Sequence, residues 1–189
     1  MHYNPALLII DLQNDFVKFR NSPVFIPSAQ TIIPVINNLR ELFDSNNWKI
    51  FNIITVHPDD INQWSSKDIE LKRAYCIENS AGAEIIDELL PLKKNELLIK
   101  KKFYSGFFET GLIDQLKKYD ISALFFAGLT TGCCVSSTAR DAYNFRFELF
   151  FVEEALTASS IEAHKTELVF FQKSLGKVIN FSEIPKLIK

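Results

Sequence analysis

The sequence predicts a three-layer α/β/α fold, Rossmann-type, around a central and mostly parallel sheet of six strands. Apolar runs of strand length alternate along the chain with segments whose apolar residues recur at helical spacing. The runs are nearly continuous in Ile, Leu, Val and Phe, as expected of strands covered on both faces. In addition, 189 residues with 47% hydrophobic composition can bury a sizeable core. No repeat or composition break divides the chain, so one domain over 1–189 is expected.

Ala6 to Leu12 (ALLIIDL) is too short for a helix and reads as the first strand, with Asp11 at its carboxyl end. From Ser28 to Asn46, Ile32, Ile33, Val35, Ile36, Leu39, Leu42 and Phe43 fall at helical spacing behind a Ser28 cap. Lys49 to Thr55 (KIFNIIT) and Glu96 to Lys100 (ELLIK) read as the second and third strands. The long stretch between them, His57 to Lys94, carries Trp64, Tyr75 and Cys76 and a short helix over Ala83 to Leu90. A connection of that length is expected to build a binding site. Leu112, Ile113 and Leu116 mark a short amphipathic helix, and Ser122 to Ala127 (SALFFA) a fourth strand that meets Gly128. A helix over Thr131 to Asn144 follows, then a strand over Phe147 to Val152, a helix over Ser160 to Ser174 and a last strand over Lys177 to Phe181.

A formal charge of -2 and a pI near 5.9 lack the basic footprint of a nucleic-acid or anionic-membrane partner, leaving a small-molecule substrate as the expected partner. No apolar run approaches the roughly 20 residues of a membrane span. Met1 to Pro5 lacks the basic and apolar regions of a signal peptide, so a cytoplasmic location is expected. Three cysteines, two of them adjacent, do not make a disulfide framework and read as reduced thiols.

In open parallel sheets, ligands bind beyond the carboxyl ends of the strands. Three polar side chains of chemical interest fall there. Asp11 ends strand one, a lysine of the run Lys100 to Lys102 ends strand three, and Cys134 follows strand four at the start of a helix. Spacing alone leaves the choice of lysine open. Cys76 and Cys133 read as small buried hydrophobes. Gly128 to Val135 (GLTTGCCV) links a buried strand to a helix through small residues, where exposed amides and the helix dipole would favour a thiolate at Cys134 and hold an oxyanion. An aspartate that moves the thiol proton and an ammonium that steadies both anions would complete the chemistry. Phe16, Trp64, Tyr75, Tyr104 and Phe107 are candidates for the walls of a flat pocket.

Taken together these segments resemble the isochorismatase-like cysteine hydrolases, a superfamily that includes nicotinamidases and N-carbamoylsarcosine amidohydrolase. Ala6 to Phe16 (ALLIIDLQNDF) resembles the opening strand and aspartate motif, and Lys101 to Phe107 (KKFYSGF) the lysine motif, whose spacing selects Lys101. Gly128 to Ala142 (GLTTGCCVSSTARDA) resembles the nucleophile turn, with Cys134 as the attacking cysteine. The resemblance implies a catalytic trio of Asp11, Lys101 and Cys134. It also implies a cis peptide between Leu129 and Thr130, and an oxyanion hole from the amides of Thr130 and Cys134. A homodimer or homotetramer is implied as well. The expected activity is hydrolysis of an amide or carbamoyl-type C–N bond through a thioester.

The sequence departs from the family pattern at Gly132, where many members carry Asn or Asp, and at Arg146, where glycine is common. Nicotinamidases bind a metal through an aspartate and three histidines, and the corresponding positions here read Thr55, His57, Gln63 and Tyr75. One histidine is too few, so no metal and no other cofactor is expected, and His57 is expected to form hydrogen bonds within its loop. Nicotinamide loses support as a substrate, although Cys76 to Ala83 (CIENSAGA) echoes the nicotinamidase loop. The rival readings are a thiol-based redox sensor using Cys133 and Cys134, a non-enzymatic binding module, and hydrolysis of a non-amide bond.

Overall fold

In the computed structural model, which describes residues 3–187, the chain forms a six-stranded, all-parallel sheet in the order β3-β2-β1-β4-β5-β6. The first and last two positions of the expected domain lie outside the described residues. The elements run β1 (Pro5–Ile10), α1 (Asn14–Val17), α2 (Ala29–Ser45), β2 (Lys49–Thr55), α3 (Ser66–Glu70), β3 (Glu96–Lys101) and α4 (Leu112–Lys118). They continue with β4 (Ala123–Leu129), α5 (Ser136–Asn144), β5 (Glu148–Thr157), α6 (Ile161–Ser174), β6 (Lys177–Ile179) and α7 (Ile184–Leu187).

Because successive strand residues face opposite ways, each central strand feeds two cores. Leu7 and Ile9 of β1 join Ile36, Leu39 and Phe43 of α2 on one face, while Leu8 and Ile10 meet Leu116 of α4, Ala139 of α5 and Phe171 of α6 on the other. Phenylalanines fill both layers. Phe125 stacks on Phe150 at 4.7 Å between ring centroids, and Phe126 on Phe151 at 5.1 Å. Burial of such side chains contributes roughly 25 cal/mol per Å² of apolar surface and holds the strand ends in fixed register.

Four local expectations are revised. Ser28 precedes α2 without capping it; its hydroxyl instead contacts Thr157 at 2.7 Å and donates to the carbonyl of Ala158 at 3.1 Å. Ala83 to Leu90 is not a helix but two 3₁₀ turns, Ala81–Ala83 and Asp87–Leu89. The segment between them is pulled extended, since Ile86 donates to the carbonyl of Leu12 at 3.1 Å and Ile85 bridges Gln13. Strand β5 extends to Thr157, past exposed Glu153 and Glu154, because Leu156 and Thr157 pair with Gly128 and Leu129 of β4 beyond a register shift. The helix expected from Thr131 opens with a wide π-type turn, Thr131–Val135, before α5. Among the described residues no helix is long and apolar enough to cross a membrane.

The sheet reverses its order between β1 and β4, so a crevice opens where their carboxyl ends part. Gly128 makes the close approach possible. A Cβ there would meet the backbone oxygen of Ile10 at 2.2 Å, and its φ of 109° is one that other residues rarely adopt.

Candidate active site

Asp11, Lys101 and Cys134 meet at the floor of this crevice. Asp11 leaves β1 with φ of 58°, a left-handed conformation that Asp tolerates better than most residues, and its amide donates to the carbonyl of Ile53 at 2.8 Å. Lys101, the last residue of β3, pairs in register with Thr55 of β2. Alternation along β3 buries Lys101 while Lys100 and Lys102 stay exposed. Its ammonium donates to Asp11 Oδ2 at 3.0 Å, to Thr55 Oγ1 at 2.6 Å and to Cys134 Sγ at 3.3 Å. Three partners use all three ammonium hydrogens. Thr55 in turn donates to Asp11 Oδ1 at 2.9 Å, so both carboxylate oxygens are held.

Burial acts to lower the Lys101 pKa, but Asp11 and the sulfur of Cys134 together raise it, so the group stays an ammonium. The Cys134 thiol is pushed up, first by burial and then by the Asp11 carboxylate, with Lys101 opposing. This corrects the expected thiolate. The sulfur-bearing residue is only 8% exposed, and the lysine charge that would stabilise an anion is already shared with Asp11.

Sequence reasoning passed over the residues that hold this floor in place. Gln13 is fully buried and clips the ends of two segments: its amide donates to the carbonyls of Thr55 at 2.7 Å and Ala83 at 2.8 Å and accepts from the Thr55 amide at 2.8 Å. Asp15 accepts from the amide of Cys76 at 2.6 Å and lies where a Cβ on Gly82 would fall, 2.2 Å from Oδ2. Thr138 of α5 donates to the carbonyl of Cys134 at 2.6 Å and accepts from the amide of Gly106 at 2.9 Å, tying the cysteine turn to the loop after β3. The available signal was the run Gln13-Asn14-Asp15, polar residues directly behind a buried strand.

A cis bond joins Leu129 to Thr130. Thr130 and Cys134 both line a cavity of about 410 Å³ above the floor, and the carbonyl of Thr130 accepts from the amides of Cys133 and Val135 at 3.0 and 3.2 Å. Open space surrounds the Cα of Gly132, so the Asn or Asp common there would fit, and Arg146 takes the left-handed φ of 67° for which glycine is the usual choice.

The aromatic expectations divide. Phe16, Tyr75 and Tyr104 line the cavity; Phe16 and Tyr75 meet edge to face at 5.8 Å. Phe107 does not line it, being buried in the core against Phe145 and Phe147. Trp64 also lies outside the cavity wall, with its indole nitrogen donating to the carbonyl of Pro58 at 2.7 Å and its ring 5.3 Å from His57. Type alone does not tell which face an aromatic takes.

His57 departs from its expected role. Its backbone pairs with Cys76 and Glu78, but neither ring nitrogen has a hydrogen-bond partner among the described residues. The ring packs between Trp64 and Tyr75, and burial lowers its pKa, so it is neutral. The four positions of the nicotinamidase metal set do not fit an ion. The Thr55 hydroxyl is committed to Lys101 and Asp11, and His57 is the one imidazole. Among the described residues no group of three or more His, Cys, Asp or Glu could hold a metal.

Comparison with known proteins places this geometry in context. Residues 5–183 match the isochorismatase domain family. A nicotinamidase of Schizosaccharomyces pombe is 31% identical, the alignment covering 95% of this chain and 94% of that protein. A ureidoacrylate amidohydrolase of Acinetobacter baylyi is 31% identical over 92% of this chain and 79% of its own length. The crystal structure of a Bacillus subtilis nicotinamidase superposes with a TM-score of 0.85 at 30% identity, covering 94% of this chain and 99% of that one.

Proposed function

The chain belongs to the isochorismatase family of hydrolases, and we propose that it hydrolyses a small-molecule amide or carbamoyl C–N bond through a thioester on Cys134. The observation that carries this reading is the Lys101 ammonium touching Asp11, Thr55 and Cys134 Sγ at the base of a cavity of about 410 Å³. Relatives named as a nicotinamidase and a ureidoacrylate amidohydrolase support it.

The substrate carbonyl sits over Cys134 with its oxygen toward the amides of Thr130 and Cys134. Asp11 takes the thiol proton as sulfur attacks the carbonyl carbon, so thiolate character appears only as it is consumed. Lys101 has no free lone pair and acts as a fixed positive charge that steadies carboxylate and sulfur. The C–N bond breaks as Asp11 returns the proton to nitrogen, and ammonia or an amine leaves. Water then adds to the thioester carbonyl, Asp11 takes its proton, the carboxylic acid departs and the proton returns to sulfur. The sum is one amide and one water converted to one acid and one amine.

Ammonia release from a panel of primary amides, ureido acids and nicotinamide tests this reading. Turnover of at least one member that disappears in Cys134→Ala and in Asp11→Asn is expected. Ammonia release unaffected by Cys134→Ala would sink it.

A further inference from the structure

The cavity wall above Cys134 carries positive charge on a chain whose net charge is -2. Its charged side chains are Lys67, Asp68, Arg73 and Lys102. Lys67 points its charge at Glu70, 2.9 Å away on the exposed side of α3. Asp68 is buried and already engaged: Ser65 donates to Oδ2 at 2.5 Å, and Oδ1 lies 2.9 Å from Arg73 Nη2. Two cations, Arg73 and Lys102, therefore face the cavity against one committed anion.

Arg73 is positioned but not satisfied. The Asp68 contact is close enough for ion pairing without the alignment of a hydrogen bond, and Arg73 Nε is buried with no partner among the described residues. A guanidinium presents five donors in a planar fork, and with Nε sealed from solvent it is the exposed Nη edge that a ligand oxygen can reach. The side chain remains 31% exposed, so its open edge is reachable. Tyr104, half-exposed on the same wall, lies within electrostatic reach of Asp68, Arg73 and Cys134.

The geometry points to a substrate that carries a carboxylate at the end opposite its scissile C–N bond, received by the open edge of Arg73 with Lys102 beside it. This identifies the substrate class of the reaction proposed above and rests on that reading: a short-chain acid amide or ureido acid rather than a neutral amide. Phe16 and Tyr75 then pack the connecting atoms, and the cavity volume, near the low end of the roughly 300–1,000 Å³ usual for ligand sites, admits only a small molecule.

The test is binding to the full-length Cys134→Ala variant by calorimetry, which reads recognition whether or not turnover occurs. The probes are succinamate, N-carbamoylglycine and 4-methylpentanamide, the last having the shape of succinamate without its charge. The expected result is that each carboxylate binds at least about tenfold tighter than the neutral amide, as for a charge-assisted contact to a fixed guanidinium. That preference should fall to about twofold or less with Arg73→Gln added and survive in part with Arg73→Lys. Since Arg73→Gln also leaves Asp68 without its counter-charge, Lys102→Gln supplies an independent reading: the preference should fall while the affinity for 4-methylpentanamide is unchanged. Equal affinities for charged and neutral probes, no detectable binding of either carboxylate, or a preference intact in the Arg73→Gln, Lys102→Gln double variant each overturn the proposal. Hydrolysis failing while the carboxylate preference holds would count against the amidase reading alone.

Discussion

The floor of the cavity and its loop wall are built on opposite principles. At the floor, Asp11, Thr55, Lys101 and Cys134 come from the ends of four segments locked by parallel strand pairing, and the ammonium, carboxylate and hydroxyl all have partners. In the wall, the segment between β2 and β3 supplies Asp68 and Arg73, whose Oδ1 and Nε lack hydrogen bonds, and the His57 ring packed against the wall residue Tyr75 has no partner at either nitrogen among the described residues. A fully satisfied buried network fixes one geometry, whereas buried groups without hydrogen-bond partners define theirs less tightly. On the proposed reading, reaction chemistry resides in the sheet, and choice of substrate in the loop.

Substitutions at the floor should be the most damaging. Cys134→Ala and Asp11→Asn are each expected to lower kcat by about 10⁴-fold or more with thermal unfolding nearly unchanged for Cys134→Ala, as when a nucleophile or its proton carrier is removed. Stopped-time ammonia assays and calorimetric scans separate the two effects. Lys101→Met should cost about 3–5 kcal/mol of stability as well as activity, because it strands the Asp11 carboxylate in a fully buried site. Denaturant titration reads that loss, and a loss below about 1 kcal/mol would contradict a dry, fully buried ion pair at the floor. Thr55→Val removes one hydroxyl from the same network and should cost about 1–3 kcal/mol.

The loop behind the wall should respond in the opposite sense. His57→Phe keeps the ring packing against Trp64 and Tyr75 and removes two unpaired nitrogens, so its effect on stability at neutral pH should lie within about 1 kcal/mol, with stabilisation permitted. The pH dependence is more telling. The folded pKa of His57 lies below its ordinary value of 6.5, so below about that pH the unfolded chain binds a proton that the folded chain resists. Wild-type stability should therefore decline as pH falls from about 7 toward 5, and His57→Phe should show a shallower decline. Thermal unfolding across that range measures it; parallel curves would contradict a neutral, desolvated imidazole.

Legibility followed the same division. Strand ends were readable because apolar runs terminate where the chain leaves the sheet, which is how Asp11 and Cys134 stood out. Lys101 needed family spacing, since three adjacent lysines look alike until strand pairing buries the middle one. Thr55 was read as a missing metal ligand, although its hydroxyl bridges Lys101 and Asp11, because a partnership between strands 46 residues apart leaves no local mark. The expected Ala83 to Leu90 helix failed for a related reason: long-range bonds from Leu12 and Gln13 outweigh local spacing. Trp64 and Phe107 were misplaced because an aromatic side chain fills a core and a pocket wall equally well. The lowered thiol pKa expected at Cys134 followed from a helix start, and burial beside Asp11 reversed it.

The central claim, a sulfur that becomes covalently acylated while an adjacent carboxylate carries its proton, is tested most directly by rapid quenching of the enzyme with a turned-over amide, followed by intact-mass and peptide mapping. An acyl adduct confined to Cys134, accumulating within the first turnover and missing from Cys134→Ala, is the predicted result. Steady ammonia release with no adduct, or with the adduct on Cys133, would contradict it.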